Sequence, residues 1–460
     1  MFIYLTIIFF GFLLIAYFIK LFRIHFYSLA ENSLSLVSIL LTKLDEDEKV
    51  KLVQKKNNQL LASLAKVIFS IFISIAIGSI PIIAYLFLKD QTYDDLDLTS
   101  ISSIIALSAG STIGFILPVK NLGSTSYSEL SQLLHRMALN NYAIAYKLFK
   151  LESKKLLKRS ISDKDKFVIV SGLARSGTTS LMLKLNSNEL FASLDYANMP
   201  FITAPNLWAK IYKPKESKKK ERSHNDGIMI GLDSVEALEE YFFKVLSNDS
   251  YIDENTLLKY NITEEQYKDY IKYQGIVRND NQKWYLAKNN NFAIRYESIR
   301  KFNNEFLIIF MFREPLSHAA SLLEKHKEFT TLQKEDKFVL EYMNWLGHHE
   351  FGMNQKSFQF SEIKLEFKED KNSLDYWLQV WINYYNHLLS INKTGTLFID
   401  YDSYCEKPNE VLEKIYNKVG ISNQPINFEP FHNKRKVDLD CSDELKLKAY
   451  QIYNDIKILS

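Results

Sequence analysis

Three apolar runs in the first third constrain this fold more than anything else in the sequence. They are Phe2–Ile19, ended by Lys20; Val67–Leu88, between Lys66 and Lys89; and Leu98–Val119, closed by Lys120. A helix needs ~20 apolar residues to cross the ~30 Å hydrocarbon core of a bilayer. Each run reaches about that length, so about three transmembrane helices are expected in a membrane region spanning residues 1–122. The third run is the richest in Ser and Thr and carries Gly110 and Gly114. Small residues at that spacing suit helix contacts within a membrane, and a buried soluble helix is the alternative. The first run lacks a basic start and a following small-x-small site, so it reads as an anchor and not as a cleaved signal peptide.

Loop charges predict an orientation. Lys20, Arg23, Lys43, Lys49, Lys51, Lys55, Lys56 and Lys66 separate the first two runs, whereas Asp90, Asp94, Asp95 and Asp97 follow the second. Lys120, Arg136, Lys147 and Lys150 come after the third. The positive-inside rule then puts the N-terminus outside, and both basic stretches and the C-terminal domain in the cytoplasm, of a multi-pass membrane protein, provided the third run spans.

At 460 residues the chain is too long for one ordinary domain. A net charge of +3 argues against a dedicated nucleic-acid binder. Cys405 and Cys441 are too few for a disulfide framework or a four-thiolate zinc site. Residues 123–162 read as an amphipathic connecting helix, with Leu130, Leu133, Leu134, Met137, Ala138, Tyr142 and Ala145 at helical spacing and a basic end. From 163 to 460 short β-rich runs alternate with helical stretches: Phe167–Val170, Phe292–Arg295, Phe306–Phe312 and Thr396–Asp400. That alternation predicts an α/β three-layer sandwich with a mainly parallel sheet.

The run Phe167–Val170 leads into Ser171-Gly-Leu-Ala-Arg-Ser-Gly-Thr-Thr-Ser180 and then a helical stretch. A strand, a glycine-bearing loop and a helix aim backbone N–H groups and a helix N-terminus at a phosphate. Arg175, Ser176, Gly177, Thr178, Thr179 and Ser180 are the binding candidates. The nucleotide-triphosphate loop G-x-x-x-x-G-K-[ST] has its glycines here at Gly172 and Gly177, but its lysine slot holds Thr178. The cation is Arg175 instead, which favours a shorter phosphate chain than that of ATP. A second strand, Glu305–Phe312, ends in Arg313-Glu-Pro-Leu-Ser317 and His318-Ala-Ala-Ser321. An ATP-hydrolysing domain places an acidic magnesium ligand at such a strand end. Arg313 there, with Ser321 eight residues on, suits a further phosphate.

In these two motifs the sequence resembles the sulfotransferase family, whose [KR]-S-G-T-[ST] loop is matched by Arg175–Thr179 and whose Arg-to-Ser spacing is matched by Arg313 and Ser321. Further segments resemble a bacterial-type branch: Tyr196–Phe201, Glu221–Gly227, Lys288–Asn291 and Tyr342–Glu350. The resemblance covers roughly residues 165–420 and leaves the apolar runs outside it. It implies 3′-phosphoadenosine 5′-phosphosulfate as sulfuryl donor, with the loop at its 5′ end and Arg313 and Ser321 at its 3′-phosphate. The acceptor would be a hydroxyl or amine on a small molecule, lipid or glycan near the bilayer, and no metal is expected.

Sulfuryl transfer needs a base and stabilisation of charge on the moving and leaving groups. Arg175 is the first candidate for that charge. Lys288 is the second, because the family often has a Lys near this place contacting the sulfuryl group. His224, between Arg222 and Asp226, is the candidate base, with Glu236 and Glu239 behind it. His348 and His349 cannot share one metal-ligand face, since neighbours on a helix point about 100° apart, and read as packing or helix-terminus residues. The family's usual C-terminal cofactor loop is not evident, and Lys434, Arg435 and Lys436 stand in for it. The competing readings are a P-loop kinase or NTPase, and a membrane scaffold with a vestigial nucleotide site.

Overall fold

The computed structural model describes residues 2–42, 44–92, 96–119, 127–158, 167–213, 220–221, 229–230, 237–361, 370–421, 427–431 and 440–460. The chain divides into two compact units, residues 1–143 and 144–460.

The first unit contains helices α1 (Phe2–Leu21), α2 (Arg23–Leu41), α3 (Glu46–Lys89), α4 (Ile101–Ile116) and α5 (Glu129–Leu139). Close helix contact rests on glycine. A Cβ at Gly11 would stand 2.9 Å from the Gly78 carbonyl oxygen, and one at Gly110 only 2.2 Å from that of Phe9. Polar groups add pairs between helices: His25 to Ser70 at 2.7 Å and Asn32 to Ser63 at 2.6 Å. Lys20 Nζ donates to the Phe115 and Leu117 carbonyls at the end of α4.

Among the described residues three helices are long and apolar enough to cross a membrane, but they are not the three expected. They are α1, α2 and α3. The third apolar run forms α4, of 16 residues, which at 1.5 Å per residue falls short of the ~30 Å core. α2 occupies much of the stretch read as a basic loop. His25, Glu31, Asn32 and several serines interrupt its apolar residues and hid it in the sequence. α3 is 44 residues long because a charged half, Glu46–Lys66, continues without a break into the second apolar run. The single connecting helix expected over 125–158 is two, α5 and α6 (Tyr142–Lys158), parted at Asn140–Asn141.

In the second unit five strands form one sheet: β1 (Phe167–Ser171), β2 (Phe191–Ala192), β3 (Trp284–Lys288), β4 (Leu307–Phe312) and β5 (Thr396–Asp400). Their order is β2-β3-β1-β4-β5 and every pairing is parallel. The unit is therefore an α/β fold on a parallel sheet. Every residue of β1 and β4 is buried, and this is why both read as continuous apolar runs without alternation. After β1 the chain turns into α7 (Thr178–Asn186), whose Thr178, Leu181, Met182 and Leu185 are buried at i, i+3, i+4, i+7 spacing. Leu181, Met182 and Leu185 pack on Val168, Val170, Ile309 and Met311. Each such aliphatic side chain contributes roughly 1.5–3 kcal/mol on burial.

The run Phe292–Arg295, expected as a strand, is not one. Asn290–Ile294 is a 3₁₀ turn, and the strand lies upstream at β3. The turn starts because Asn289 Oδ1 accepts from the Asn291 N–H at 3.0 Å, which bends the backbone out of the sheet.

The sheet order positions the site. From β1 the chain goes to the β2–β3 side, and from β4 it goes to β5. The loops leaving these neighbours therefore diverge and open a crevice at the carboxyl ends of the strands.

Candidate active site

The loop after β1 is tight. Gly172 and Gly177 have φ of +147° and +94°, and a Cβ on Gly177 would lie 2.3 Å from the Tyr401 ring. Arg175 also takes a positive φ, +72°, a conformation that costs a non-glycine residue about 1–3 kcal/mol and persists only where its surroundings enforce it. Two contacts do so. Ser176 bonds back to the Leu173 carbonyl through both its N–H (3.2 Å) and its Oγ (2.7 Å), and His318 Nε2 meets the Ala174 oxygen at 2.8 Å. α7 starts at Gly177 with no side-chain cap. Leu181 N–H bonds the Gly177 carbonyl, so the N–H groups of Thr178, Thr179 and Ser180 precede the first intrahelical bond. Such a helix start presents donors and a positive dipole end to an anion.

Arg313 stands at the end of β4, 7 % exposed. One Nη donates to the Arg175 carbonyl at 3.5 Å, and the guanidinium lies 5.0 Å from the Tyr401 ring centre. Burial lowers its pKa, with repulsion from Arg175 added and Tyr401 and Asp402 opposing. Pro315 occupies the first turn of α9 (Pro315–Glu335), capped by Glu314, whose carboxylate accepts from the Leu316 and Ser317 N–H groups at 3.1 and 2.7 Å. Ser321, 1 % exposed, accepts from Arg175 Nε at 3.3 Å. The two motifs are thus joined: Arg175 reaches Ser321 with its side chain and Arg313 with its carbonyl.

Lys288 is the last residue of β3 and pairs in register with Val170, just before the loop. It stands at the same sheet edge as the loop and Arg313. Behind it lies a sealed polar network on α8 (Glu239–Ser247). Glu239 accepts from Tyr270, Tyr285 and Asn289 at 2.6, 2.8 and 2.9 Å. Glu240 takes a two-pronged ion pair from Arg295 at 2.6 and 2.7 Å, as well as bonds from Tyr251 and Asn289. Burial raises the Glu239 pKa against its three donors. Glu239, read from sequence as a reserve base, is 1 % exposed and held by three donors, which gives it a structural role in this network. His224, Glu236, Lys434, Arg435 and Lys436 lie outside the described residues.

His348 and His349 follow the helix Lys337–Trp345 and are not on it; Gly347, at φ +70°, breaks the chain away. His349 turns inward to the Asn354 carbonyl at 3.2 Å, and burial lowers its pKa to about 3. Sequence reasoning gave no role to His318, which is wholly buried under the loop. Burial pulls its pKa down to about 3 against the bond to Ala174, and Arg313 and Arg175 repel its charged form further. The neutral ring donates through Nε2. Its position inside the second motif was the available signal. Among the described residues no three His, Cys, Asp or Glu side chains gather as metal ligands.

No family model matches the chain, and no curated protein matches it by sequence. Solved structures to which it is similar include three sulfotransferases. A sulfotransferase of Mycobacterium tuberculosis H37Rv matches at 12 % identity and a TM-score of 0.36, over 73 % of this chain and 87 % of its own. One of Mycobacterium avium matches at 13 % and 0.37, over 71 % and 78 %. The sulfotransferase domain of the curacin biosynthetic pathway matches at 12 % and 0.32, over 63 % and 97 %.

Proposed function

We propose that the second unit is a sulfotransferase, moving a sulfuryl group from 3′-phosphoadenosine 5′-phosphosulfate to a hydroxyl or amine. One observation carries the reading: an uncapped helix start, Arg175 and Arg313 meet in a single crevice at the switch point of the sheet, with Lys288 on its edge. A ligand with two separate phosphate groups suits two cations so placed better than a linear triphosphate does. The lysine slot of a triphosphate loop is Thr178, 3 % exposed. The acidic metal ligand of an ATPase strand end is replaced by Arg313, and Glu314 beside it is engaged in capping α9.

In this reading the first turn of α7, with Thr178, Thr179 and Ser180, binds the 5′-phosphate. Arg175 and Lys288 neutralise charge on the leaving and moving groups, and Arg313 and Ser321 hold the 3′-phosphate. The donor supplies the activated sulfuryl group. The protein positions it and stabilises charge, as in phosphoryl transfer. The three long apolar helices support attachment to a bilayer and a lipid, glycan or other membrane-proximal acceptor; the cytoplasmic placement drawn from loop charges needs a spanning third run, which α4 is too short to supply.

Calorimetry on the full chain in detergent tests the site. 3′,5′-Adenosine bisphosphate should bind at least tenfold more tightly than Mg·ATP, and labelled donor should pass sulfate to a membrane lipid or glycan extract. Preference for Mg·ATP with metal-dependent turnover would overturn the reading.

A further inference from the structure

We propose that His348, backed by Glu350, is the base that takes the proton from the acceptor. The inference rests on the sulfuryl-transfer reading of the crevice and goes beyond it by naming a residue that the sequence assigned to packing or a helix terminus. His348 Nδ1 lies 3.5 Å from Glu350 Oε1, and that oxygen also accepts from Asn290 Nδ2 at 3.0 Å. Asn290 is two residues past Lys288, so the pair stands at the β3 end of the crevice. The charge of Lys288 is felt directly at Glu350.

The neighbouring side chains divide the roles. The His348 side chain keeps 20 % exposure and that of Glu350 10 %, whereas His349 is 3 % exposed and turned to a backbone carbonyl. Of the two adjacent imidazoles, His348 is the one an acceptor can approach. Burial alone would favour a neutral Glu350, yet His348, Lys288 and the Asn290 bond hold its pKa down to about 2. Its other oxygen, Oε2, is buried and has no hydrogen-bond partner among the described residues. A buried carboxylate so placed stabilises an imidazolium beside it, which is the state His348 reaches on accepting a proton. Other charged groups around this loop include Lys288 on β3, Glu240 and Lys244 against Gly347, and Lys244 and Lys356 about His349.

The step balances. The acceptor O–H gives its proton to His348 Nε2, and the oxygen's electron pair forms the new O–S bond. The S–O bond to the donor phosphate breaks, and its electron pair leaves on the bisphosphate beside Arg175 and Lys288.

The test uses the full chain in detergent, labelled 3′-phosphoadenosine 5′-phosphosulfate as donor and a membrane lipid and glycan extract as acceptor. His348→Ala should cut transfer at least about a hundredfold, the range of a lost general base, while 3′,5′-adenosine bisphosphate affinity stays within twofold. Glu350→Gln removes the negative charge beside His348, so the acidic limb of the rate profile should move to lower pH. A His348→Ala protein transferring within threefold of wild type overturns the inference, as does a limb unmoved by Glu350→Gln or a His224→Ala protein that alone loses transfer. Wild-type protein that neither binds the bisphosphate nor transfers sulfate overturns the underlying reading, and the inference with it.

Discussion

Arg313 and Gly177 do different work at the site, and two ligands separate them. Arg313 is buried at a strand end with its guanidinium turned toward the loop. A charge-assisted bond to phosphate is worth about 1.5–3 kcal/mol, or about one to two orders of magnitude in affinity. Arg313→Ala should therefore weaken 3′,5′-adenosine bisphosphate ten- to a hundredfold and leave 5′-AMP within about threefold, since AMP has no 3′-phosphate. Gly177→Ala drives a methyl group toward the Tyr401 ring at a backbone angle of +94°. It should weaken both ligands alike, because it displaces the loop that holds the phosphate they share. Calorimetry with the two nucleotides checks both outcomes. Equal losses of the two ligands in Arg313→Ala would remove the 3′-phosphate from its assignment.

At the scale of elements, the junction from β3 into the 3₁₀ turn depends on Asn289. Its Nδ2 donates at 2.9 Å to both Glu239 and Glu240, and its N–H bonds the Val170 carbonyl at 2.9 Å. Asn289→Ala leaves two buried carboxylates each short of a donor, at a cost of about 1–3 kcal/mol for each group. Asn289→Asp adds a third carboxylate to the same pocket and should destabilise more, since buried like charges repel at low effective dielectric. Denaturant unfolding should rank wild type above Asn289→Ala above Asn289→Asp. This junction also marks where sequence reading stopped working. β1, β4 and β5 were legible as β-rich runs, and so were the glycine loop and Arg313 with Ser321, because each signal is local. Lys288 was legible only as a candidate, in a loop before a strand that does not exist; it ends β3 instead. The asparagine turn that ends β3 looks like any polar linker until its side-chain bonds are seen. α2 was lost because scattered polar residues interrupt it, and the His348–Glu350–Asn290 contact joins segments about 60 residues apart that no spacing rule connects.

At the scale of the whole molecule, buried histidines tie the stability of the second unit to pH. Burial holds His318 and His349 down to about 3, and His326 and His387 to about 4, whereas an unfolded histidine titrates near 6.5. Between about pH 6.5 and 3 the unfolded chain takes up protons that these rings refuse. Stability is thus fully present above about pH 6.5 and is lost as pH falls through that window. Glu350, held down to about 2, adds its own loss below the ordinary carboxylate range. All five tryptophans, Trp208, Trp284, Trp345, Trp377 and Trp381, belong to the second unit, so intrinsic fluorescence of the full chain reports on that unit without a contribution from the apolar helices. The thermal midpoint read this way should fall steadily from pH 6.5 to pH 4. His318→Gln keeps an N–H donor in reach of the Ala174 carbonyl but has no proton to gain, so its midpoint should fall less over the same range. Parallel curves for the two proteins would mean that His318 is not a source of the slope. A shallower curve for His318→Gln, with nucleotide affinity kept above pH 6.5, would tie acid loss of the phosphate loop to the one imidazole that pins it from beneath.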